Sequence, residues 1–225
     1  MIELQNVTKI YDGGVLGVRD ANIKIDQGEF VFLVGESGSG KSTLLRLLIK
    51  EINPTSGKIF IDGQNVTRLR RGKTAKLHRR MGSVFQDYRL LPKKTVYENV
   101  AFAMEAIEET QRRIRRRVPR VLNMVGLAHK SHNFPNEISG GEQQRTAIAR
   151  AVANNPVYLL ADEPTGNLDP RNAKEVMDLM EYINSLGTTV IIATHDKDPV
   201  DRMQKRVIHI VDGKVAKDAK GGYDI

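Results

Sequence analysis

Two hydrophobic patterns alternate along the 225-residue chain. Short runs in which apolar residues are consecutive, or alternate with polar ones, predict strands, whereas apolar residues spaced three and four apart predict helices. Because predicted strands and helices follow each other over most of the chain, we expect an α/β fold with a mostly parallel core sheet. The predicted strands are residues 2–7, 21–25, 30–34, 58–61, 82–86, 157–164 and 188–196, with a closing hairpin over 206–215.

Two regions depart from this alternation. Near the N-terminus, residues 2–7 and 21–25 are separated by an Asp-Gly-Gly turn at 12–14, which predicts an antiparallel β subdomain. From about 88 to 155 the apolar spacing is helical, which predicts an inserted helical subdomain. The chain is therefore expected to be one domain over 1–225, with its core formed by residues 1–87 and 156–225.

The helical region contains one residue that disfavours a continuous helix. Pro119 lies within an arginine-rich run at 111–120, just before an apolar-periodic run at 120–127. Proline lacks the backbone N–H of a helix interior, so we expect a helix to start or kink near Pro119.

Composition narrows the possible functions. The chain has no cysteine, which excludes disulfides and thiolate metal sites. Its first residues alternate like a strand and do not form the apolar run of a signal peptide, and its longest apolar runs are far shorter than the roughly 20 residues that span a bilayer. The net charge of +8 favours anionic neighbours, which include nucleotides, nucleic acid and acidic membrane surfaces.

The most informative segment is a strand, a glycine-rich turn and a helix over residues 30–48. The turn fits G-x-x-x-x-G-K-[ST], the loop whose backbone N–H groups surround a nucleoside triphosphate. Lys41 is expected to reach the β- and γ-phosphates, and the Ser42 hydroxyl to ligate Mg²⁺. The predicted nucleotide-binding residues of this turn are Gly35, Glu36, Ser37, Gly38, Ser39, Gly40, Lys41, Ser42 and Thr43.

Four polar residues lie at or just beyond the ends of later predicted strands: Gln86, Asp162, Glu163 and His195. In open α/β sheets, ligands bind at the carboxyl ends of the strands. Asp162 fits the carboxylate that holds Mg²⁺, and Glu163 fits a base that takes a proton from the attacking water. His195 is expected to contact the γ-phosphate.

Tyr11 precedes the Asp-Gly-Gly turn. It is compatible with two interpretations: a ring that stacks on adenine, or a partly buried tyrosine at the end of a strand.

These residues together resemble the ATPase subunit of ABC transporters. That family combines the phosphate loop with a glutamine at a strand end, a signature near LSGGQ, a strand that ends in Asp-Glu, a D-loop and a switch histidine. The corresponding segments here are Gln86, ISGGEQQR at 138–145, LLADEP at 159–164, NLD at 167–169, and His195. The signature departs from the family pattern at Ile138 and Glu142.

The resemblance implies a mechanism and an assembly. Two copies would pack head to tail around two ATP molecules, so that the signature residues Ser139, Gly140, Gly141 and Glu142 of one copy cap the γ-phosphate held by the other. It also implies that Asp169 acts in the D-loop, that Gln86 joins Ser42 and Asp162 around Mg²⁺, and that Lys41, Glu163 and His195 are catalytic.

Within the family, residues 84–104 and the ending from 206 onward resemble ATPases that act in bacterial cell division. This implies a polytopic, four-span membrane partner, peripheral attachment at the cytoplasmic face of the cell membrane, and no specific nucleic acid. Three alternatives remain: a lipoprotein-release or macrolide-export system, a soluble ABC ATPase that acts on nucleic acid, and a nucleotide-gated scaffold without turnover.

Two surface features also remain open. The loop residues Leu90, Leu91 and Pro92 are expected either to dock the membrane partner or to fold against the helical subdomain. The arginine run at 111–120 is either a contact for acidic lipid head groups or the solvated face of a helix.

Overall fold

The computed structural model describes residues 1–223, which form two β-sheets and seven α-helices. The strands are β1 (Ile2–Ile10), β2 (Leu16–Ile25), β3 (Phe30–Val34), β4 (Ser56–Ile61), β5 (Gln64–Asn65), β6 (Met81–Val84), β7 (Tyr158–Asp162), β8 (Thr189–Thr194), β9 (Arg206–Val211) and β10 (Lys214–Lys220). The helices are α1 (Lys41–Leu48), α2 (Arg71–His78), α3 (Val96–Glu105), α4 (Gln111–Met124), α5 (Gly140–Val152), α6 (Pro170–Ser185) and α7 (Lys197–Met203).

The larger sheet has the strand order β10-β9-β3-β8-β7-β6. Strands β9, β3, β8, β7 and β6 are parallel, and β10 joins the edge in an antiparallel hairpin. All five residues of β3 are buried, and they alternate between two hydrophobic clusters on opposite sides of the sheet. Both faces of this sheet are therefore covered, which explains why its strands are apolar throughout and confirms the predicted α/β class.

The smaller sheet, with strand order β2-β1-β4-β5, is antiparallel and contains both predicted N-terminal strands. Its apolar face, which includes Ile2, Leu4 and Ile59, packs in the same cluster as the buried side of α1. The phosphate-loop helix is thus held between the two sheets.

The helical region differs from its prediction at Pro119. A single helix, α4, runs from Gln111 to Met124 through Pro119, so the expected helix start at this residue is wrong, and the expected kink stays a prediction. Its buried residues Ile114, Val118, Val121 and Leu122 form one apolar face. Burial of this face offsets the roughly 3 kcal/mol that a proline costs inside a helix.

The strand that precedes Gln86 is shorter than predicted. Strand β6 ends at Val84, where its pairing with β7 stops at Ala161, so Phe85 and Gln86 belong to the following loop. Helix α2 lies within the basic stretch of residues 68–80. Across residues 1–223, no helix combines the length and apolar character needed to cross a membrane.

Candidate nucleotide-binding and catalytic site

The glycine-rich loop joins β3 to α1 and is enclosed by backbone from other strands. A Cβ atom at Gly35 would lie 2.2 Å from the carbonyl oxygen of Ile210, and one at Gly40 would lie 2.2 Å from that of Gly17. Gly40 also has a φ of 111°, which disfavours any other residue. The loop therefore requires glycine at both positions, for packing as well as for close approach of a phosphate.

Within this loop Glu36, Ser37 and Gly38 are exposed, whereas Ser39 is buried. The Ser39 hydroxyl has no hydrogen-bond partner among the described residues. A buried hydroxyl without a partner is unfavourable. A ligand that carries acceptor oxygens, such as a phosphate, would satisfy this group, so the loop fits the predicted nucleotide.

Lys41 is buried at the start of α1. Its Nζ atom donates hydrogen bonds to the carbonyl oxygens of Gly35 at 2.7 Å and Glu36 at 2.9 Å. Burial lowers the pKa of the ammonium group, and the charges of Glu163 and Asp162 oppose this effect. The lysine is thus held inside the loop, with both strand-end carboxylates close enough to act on it.

Ser42 and Asp162 meet although they are 120 residues apart in sequence. The Ser42 hydroxyl donates a hydrogen bond of 3.0 Å to Oδ1 of Asp162. Burial raises the pKa of Asp162, and the hydrogen bond from Ser42 opposes this increase. A hydroxyl beside a partly buried carboxylate is a suitable set of hard oxygen ligands for Mg²⁺, so these two residues fit the predicted metal.

Glu163 and His195 form a direct pair. Oε1 of Glu163 lies 2.9 Å from Nδ1 of His195, and the Glu163 side chain is 15% exposed compared with 64% for His195. Glu163 has a φ of 47°, and its backbone N–H donates to the carbonyl oxygen of Ala193. Strands β7 and β8 are neighbours in the sheet, so their ends bring these two side chains together.

Gln86 lies in a different set of contacts. Its backbone oxygen accepts a hydrogen bond from Asn167 Nδ2 at 3.1 Å, and its side-chain amide lies against Gly166. Among the described residues, no hydrogen bond connects Gln86 to Ser42 or Asp162. Its role as a Mg²⁺ ligand stays a prediction.

Tyr11 stands beside the phosphate loop. Its hydroxyl lies 3.1 Å from the Thr43 Oγ1 atom, and its partly exposed ring has Lys9 Nζ at 5.3 Å from the centroid. A Cβ atom at Gly17 would lie 2.8 Å from the ring, so glycine there makes room for it. Both interpretations of Tyr11, the stacking ring and the strand-end tyrosine, stay open with these contacts, and stacking on adenine stays a prediction.

The signature residues form the N-terminus of α5. Ser139 is the N-cap: its hydroxyl accepts from the Glu142 backbone N–H at 3.3 Å and donates to the Glu142 carboxylate at 3.0 Å. The same carboxylate accepts from the Ser139 N–H at 2.8 Å. These hydrogen bonds, led by that of the Ser139 backbone, lower the pKa of Glu142. Glu142 therefore completes a capping box in its own helix.

Asn172, which no sequence pattern singled out, connects the D-loop to the signature. Asp169 caps α6 by accepting from the backbone N–H groups of Arg171 and Asn172, and it also accepts from the Asn172 side chain. The Oδ1 atom of Asn172 would lie 2.1 Å from a Cβ atom at Gly141, so these segments are in close contact. The only local signal for this contact was a helix start of the Asp-Pro type, with asparagine three residues after the Asp.

Apart from Gln86 and Tyr11, the predicted residues outside the loop backbone thus form two groups. Lys41, Ser42, Asp162, Glu163 and His195 converge at the carboxyl end of the core sheet. The signature residues and Asp169 form the second group. In the part of the chain that the structure describes, no hydrogen bond or ion pair joins Lys41 to the signature.

Known proteins with similar sequences and structures identify the family of this chain. The cell division ATP-binding protein FtsE of Streptococcus pneumoniae strain D39 is 52% identical over 100% of this chain and 99% of its own length. FtsE of Mycobacterium tuberculosis is 52% identical over 99% of this chain and 97% of its own length. A dimeric structure of the ATP-binding cassette MJ0796, in a post-hydrolysis state with ADP and Pi, matches with a TM-score of 0.88 and 37% identity, and the match covers 98% of each chain.

A family model described as ABC transporter matches residues 18–166. This range contains the phosphate loop, the signature segment and the Asp162-Glu163 pair, and both the relatives and the solved structure extend the similarity over nearly the whole chain. The chain therefore belongs to the ABC transporter family.

Proposed function

We propose that this chain is the ATP-hydrolysing subunit of a membrane ABC complex that acts in bacterial cell division, with an FtsX-like four-span protein as its partner. The proposed ATP hydrolysis is supported by one observation. Five side chains converge at one edge of the sheet, namely those of Lys41, Ser42, Asp162 and the Glu163–His195 pair. The biological part follows the relatives named above, which are cell division ATP-binding proteins.

In the hydrolysis step, the phosphate loop and Lys41 hold the triphosphate while Glu163 accepts a proton from the attacking water. The water oxygen forms a bond to the γ-phosphorus, and the bond from that phosphorus to the β,γ-bridging oxygen breaks. His195 orients the Glu163 carboxylate through their 2.9 Å contact. Mg²⁺, when bound by Ser42 and Asp162, would neutralise charge that develops on the phosphate oxygens.

A second copy of the chain would complete the site. Ser139 and the Gly140 and Gly141 amides lie at a helix N-terminus, which offers N–H donors and a positive dipole to an anion. In a head-to-tail dimer they would cap the γ-phosphate held by the other copy. Because Ser139 now pairs with Glu142, its hydroxyl must exchange that partner for the phosphate.

The membrane partner would dock in a groove of about 640 Å³ between α2, α3 and α5, which we call the docking groove. Its lining includes Phe85, Leu91 and Phe102, and Phe102 is 43% exposed. Leu91 is fixed through its backbone to the buried side chain of Asn99. The lining also includes Arg89 and Arg150, so the groove combines apolar and basic side chains. Such a groove fits an amphipathic cytoplasmic segment of the partner. The same proposal places the chain at the cytoplasmic face of the membrane. It also divides the chain into a core and a helical subdomain, which spans approximately 88–155.

Affinity purification from detergent-solubilised membranes, with ATP present, tests this function. We expect a four-span membrane protein with the wild type, its loss with Phe102→Asp or Arg89→Glu, and its retention with Tyr182→Asp, which changes an exposed aromatic residue on α6. Recovery of a longer permease or of a lipoprotein-release or efflux subunit would replace the biological role and keep the ATPase. Ribosomes or nucleic acid without a membrane protein would overturn the membrane role.

A further inference from the structure

One face of α4 presents four arginines to a second cavity, of about 350 Å³, which we call the arginine cavity. Its basic lining is Arg113, Arg116, Arg117 and Arg120. The spacings of three and four residues place these side chains on one side of the helix, as neighbours. The opposite side of α4 is the apolar face that packs in the core.

The charge of this cavity is poorly compensated from within the chain. Glu109 pairs with Arg113 at 2.7 Å. The Arg117 guanidinium donates to the carbonyl oxygens of Val152 and Ala153 at the end of α5. Burial lowers the pKa of Arg117, and the charge of Arg120 adds to this effect.

Among the described residues, neither Arg116 nor Arg120 forms an ion pair. Like charges at these spacings destabilise a helix. An anion bound from outside the chain would relieve that repulsion.

The arginine cavity adjoins the docking groove, since Ile107 and Asn154 line both. On the α2 side of the groove, the exposed Arg79, which follows α2 directly, is part of the lining, and Lys73 and Lys76 are exposed on the same helix. Basic side chains therefore flank the groove on both sides. This distribution fits an extended negative surface better than a single small anion.

We propose that the arginine cavity binds the phosphate groups of acidic phospholipids, on the membrane surface towards which the docking groove faces. Guanidinium groups form paired hydrogen bonds with phosphate oxygens. The inference rests on the proposed function only in one respect, which is that the docking groove faces the membrane. Vesicle binding can be measured without the membrane partner, so a failure of either proposal is distinguishable from a failure of the other.

The test is vesicle flotation of the purified chain, with vesicles of phosphatidylcholine alone or of phosphatidylcholine mixed equally with phosphatidylglycerol. The variant is Arg113→Gln/Arg116→Gln/Arg120→Gln. The control is Lys24→Gln/Lys58→Gln/Lys217→Gln, which removes the same charge from exposed positions on β2, β4 and β10. We expect the arginine variant to lower the partition coefficient on phosphatidylglycerol vesicles on the order of 100-fold, and the control to change it far less.

A third variant separates charge from folding. The corresponding triple Arg→Lys variant keeps the charge, so it should retain most of the binding, and added salt should weaken binding in every case. Melting temperatures of all variants report whether each is folded.

Equal losses in the arginine variant and the control would overturn the proposal, and so would equal binding to both vesicle types. Displacement of the chain from vesicles by inorganic phosphate would show a site for a small soluble anion instead. Tighter binding of duplex DNA or RNA through the same arginines at physiological salt would assign the surface to nucleic acid. Either result would overturn the lipid assignment.

Discussion

Oε1 of Glu163 lies 2.9 Å from Nδ1 of His195, so the proposed base and the proposed γ-phosphate contact form one unit. The His195 backbone N–H lies 3.4 Å from the other carboxylate oxygen of Glu163. The backbone of Glu163 is also held in place, because its own N–H donates a hydrogen bond to the carbonyl oxygen of Ala193. Both carboxylate oxygens thus have a partner on the neighbouring strand end, which limits the orientations that the side chain can adopt.

The first prediction concerns Glu163→Gln. The amide keeps the shape of the side chain and cannot accept the proton of the attacking water, so we expect kcat to fall by about 10²- to 10⁴-fold. ATP affinity should change little, and the variant should accumulate as an ATP-bound dimer in size-exclusion chromatography. Normal turnover would exclude Glu163 as the base, and Glu51→Gln serves as a control on an exposed carboxylate.

A double-mutant cycle tests whether the pair acts as a unit. We expect His195→Ala to lower kcat, and the double variant with Glu163→Gln to be hardly slower than Glu163→Gln alone, because residues that act together have non-additive effects. Additive losses in steady-state ATPase assays would mean that the two side chains act independently.

The second prediction separates the two interpretations of Tyr11. Loss of ring stacking in Tyr11→Ala is expected to weaken ATP binding by about 1–3 kcal/mol. Tyr11→Phe removes only the hydroxyl contact to Thr43 and should bind ATP nearly as well. Calorimetric titration with ATP and with tripolyphosphate measures this, and the affinity for tripolyphosphate should not change. If Tyr11→Ala lowers the melting temperature and leaves ATP affinity intact, the residue is structural.

The third prediction concerns the contact between Gly141 and Asn172. A Cβ atom in Gly141→Ala would overlap the Asn172 Oδ1 atom and displace the Asp169 cap or the start of α5. We expect a loss of ATP-driven dimerisation and a fall in kcat of at least about tenfold, since misplaced contacts to the transferred phosphate are costly. ATP binding to the monomer should persist.

Adding Asn172→Ala to Gly141→Ala makes room for the methyl group, so it should restore part of the activity. Gly72→Ala on α2 is a matched control, because a Cβ atom there meets no other atom. If the double variant is folded but no more active than Gly141→Ala alone, Asn172 is not the obstacle.

The fourth prediction uses the capping box of α5. Because the folded-state pKa of Glu142 is lowered from its ordinary value of 4.5, its charge stabilises the fold above that value. This contribution is lost as the pH falls through the lowered folded-state pKa. We expect Glu142→Gln to reduce the free energy of unfolding by about 0.5 kcal/mol at neutral pH. At acid pH, where Glu142 is protonated, the difference should vanish.

Urea titrations of both proteins at neutral and acid pH measure this difference. A difference that persists below the folded-state pKa would mean that the charge is not its source. The same variant should leave ATP binding by the isolated monomer unchanged.

The phosphate loop could be predicted from the sequence because its requirements are local. Gly40 takes a dihedral angle that other residues disfavour, and Lys41 begins a helix directly after it, so consecutive residues contain the whole signal. The continuous apolar run of β3 likewise reflects burial on both faces of the sheet. Asp162, Glu163 and His195 were found because strand ends can be recognised from where an apolar run stops.

Contacts between distant segments depended on the tertiary structure. The sequence predicted a parallel sheet and did not specify that β3 lies between β8 and β9, with β7 beyond β8. That order brings Asp162 to Ser42 and Glu163 to His195. Strand order is set by how apolar faces pack over the whole domain, and residue spacing does not record it.

The chain by itself therefore determined most of the strands, the phosphate loop and the polar residues at the strand ends, since each follows from dihedral preferences or periodicity over a few residues. The tertiary structure decided which of them touch. It continued α4 through Pro119, because burial of Ile114 and Val118 outweighs a lost hydrogen bond. It placed Asn172 against Gly141 and the arginine cavity beside the docking groove. Such contacts depend on packing between segments that are far apart in sequence.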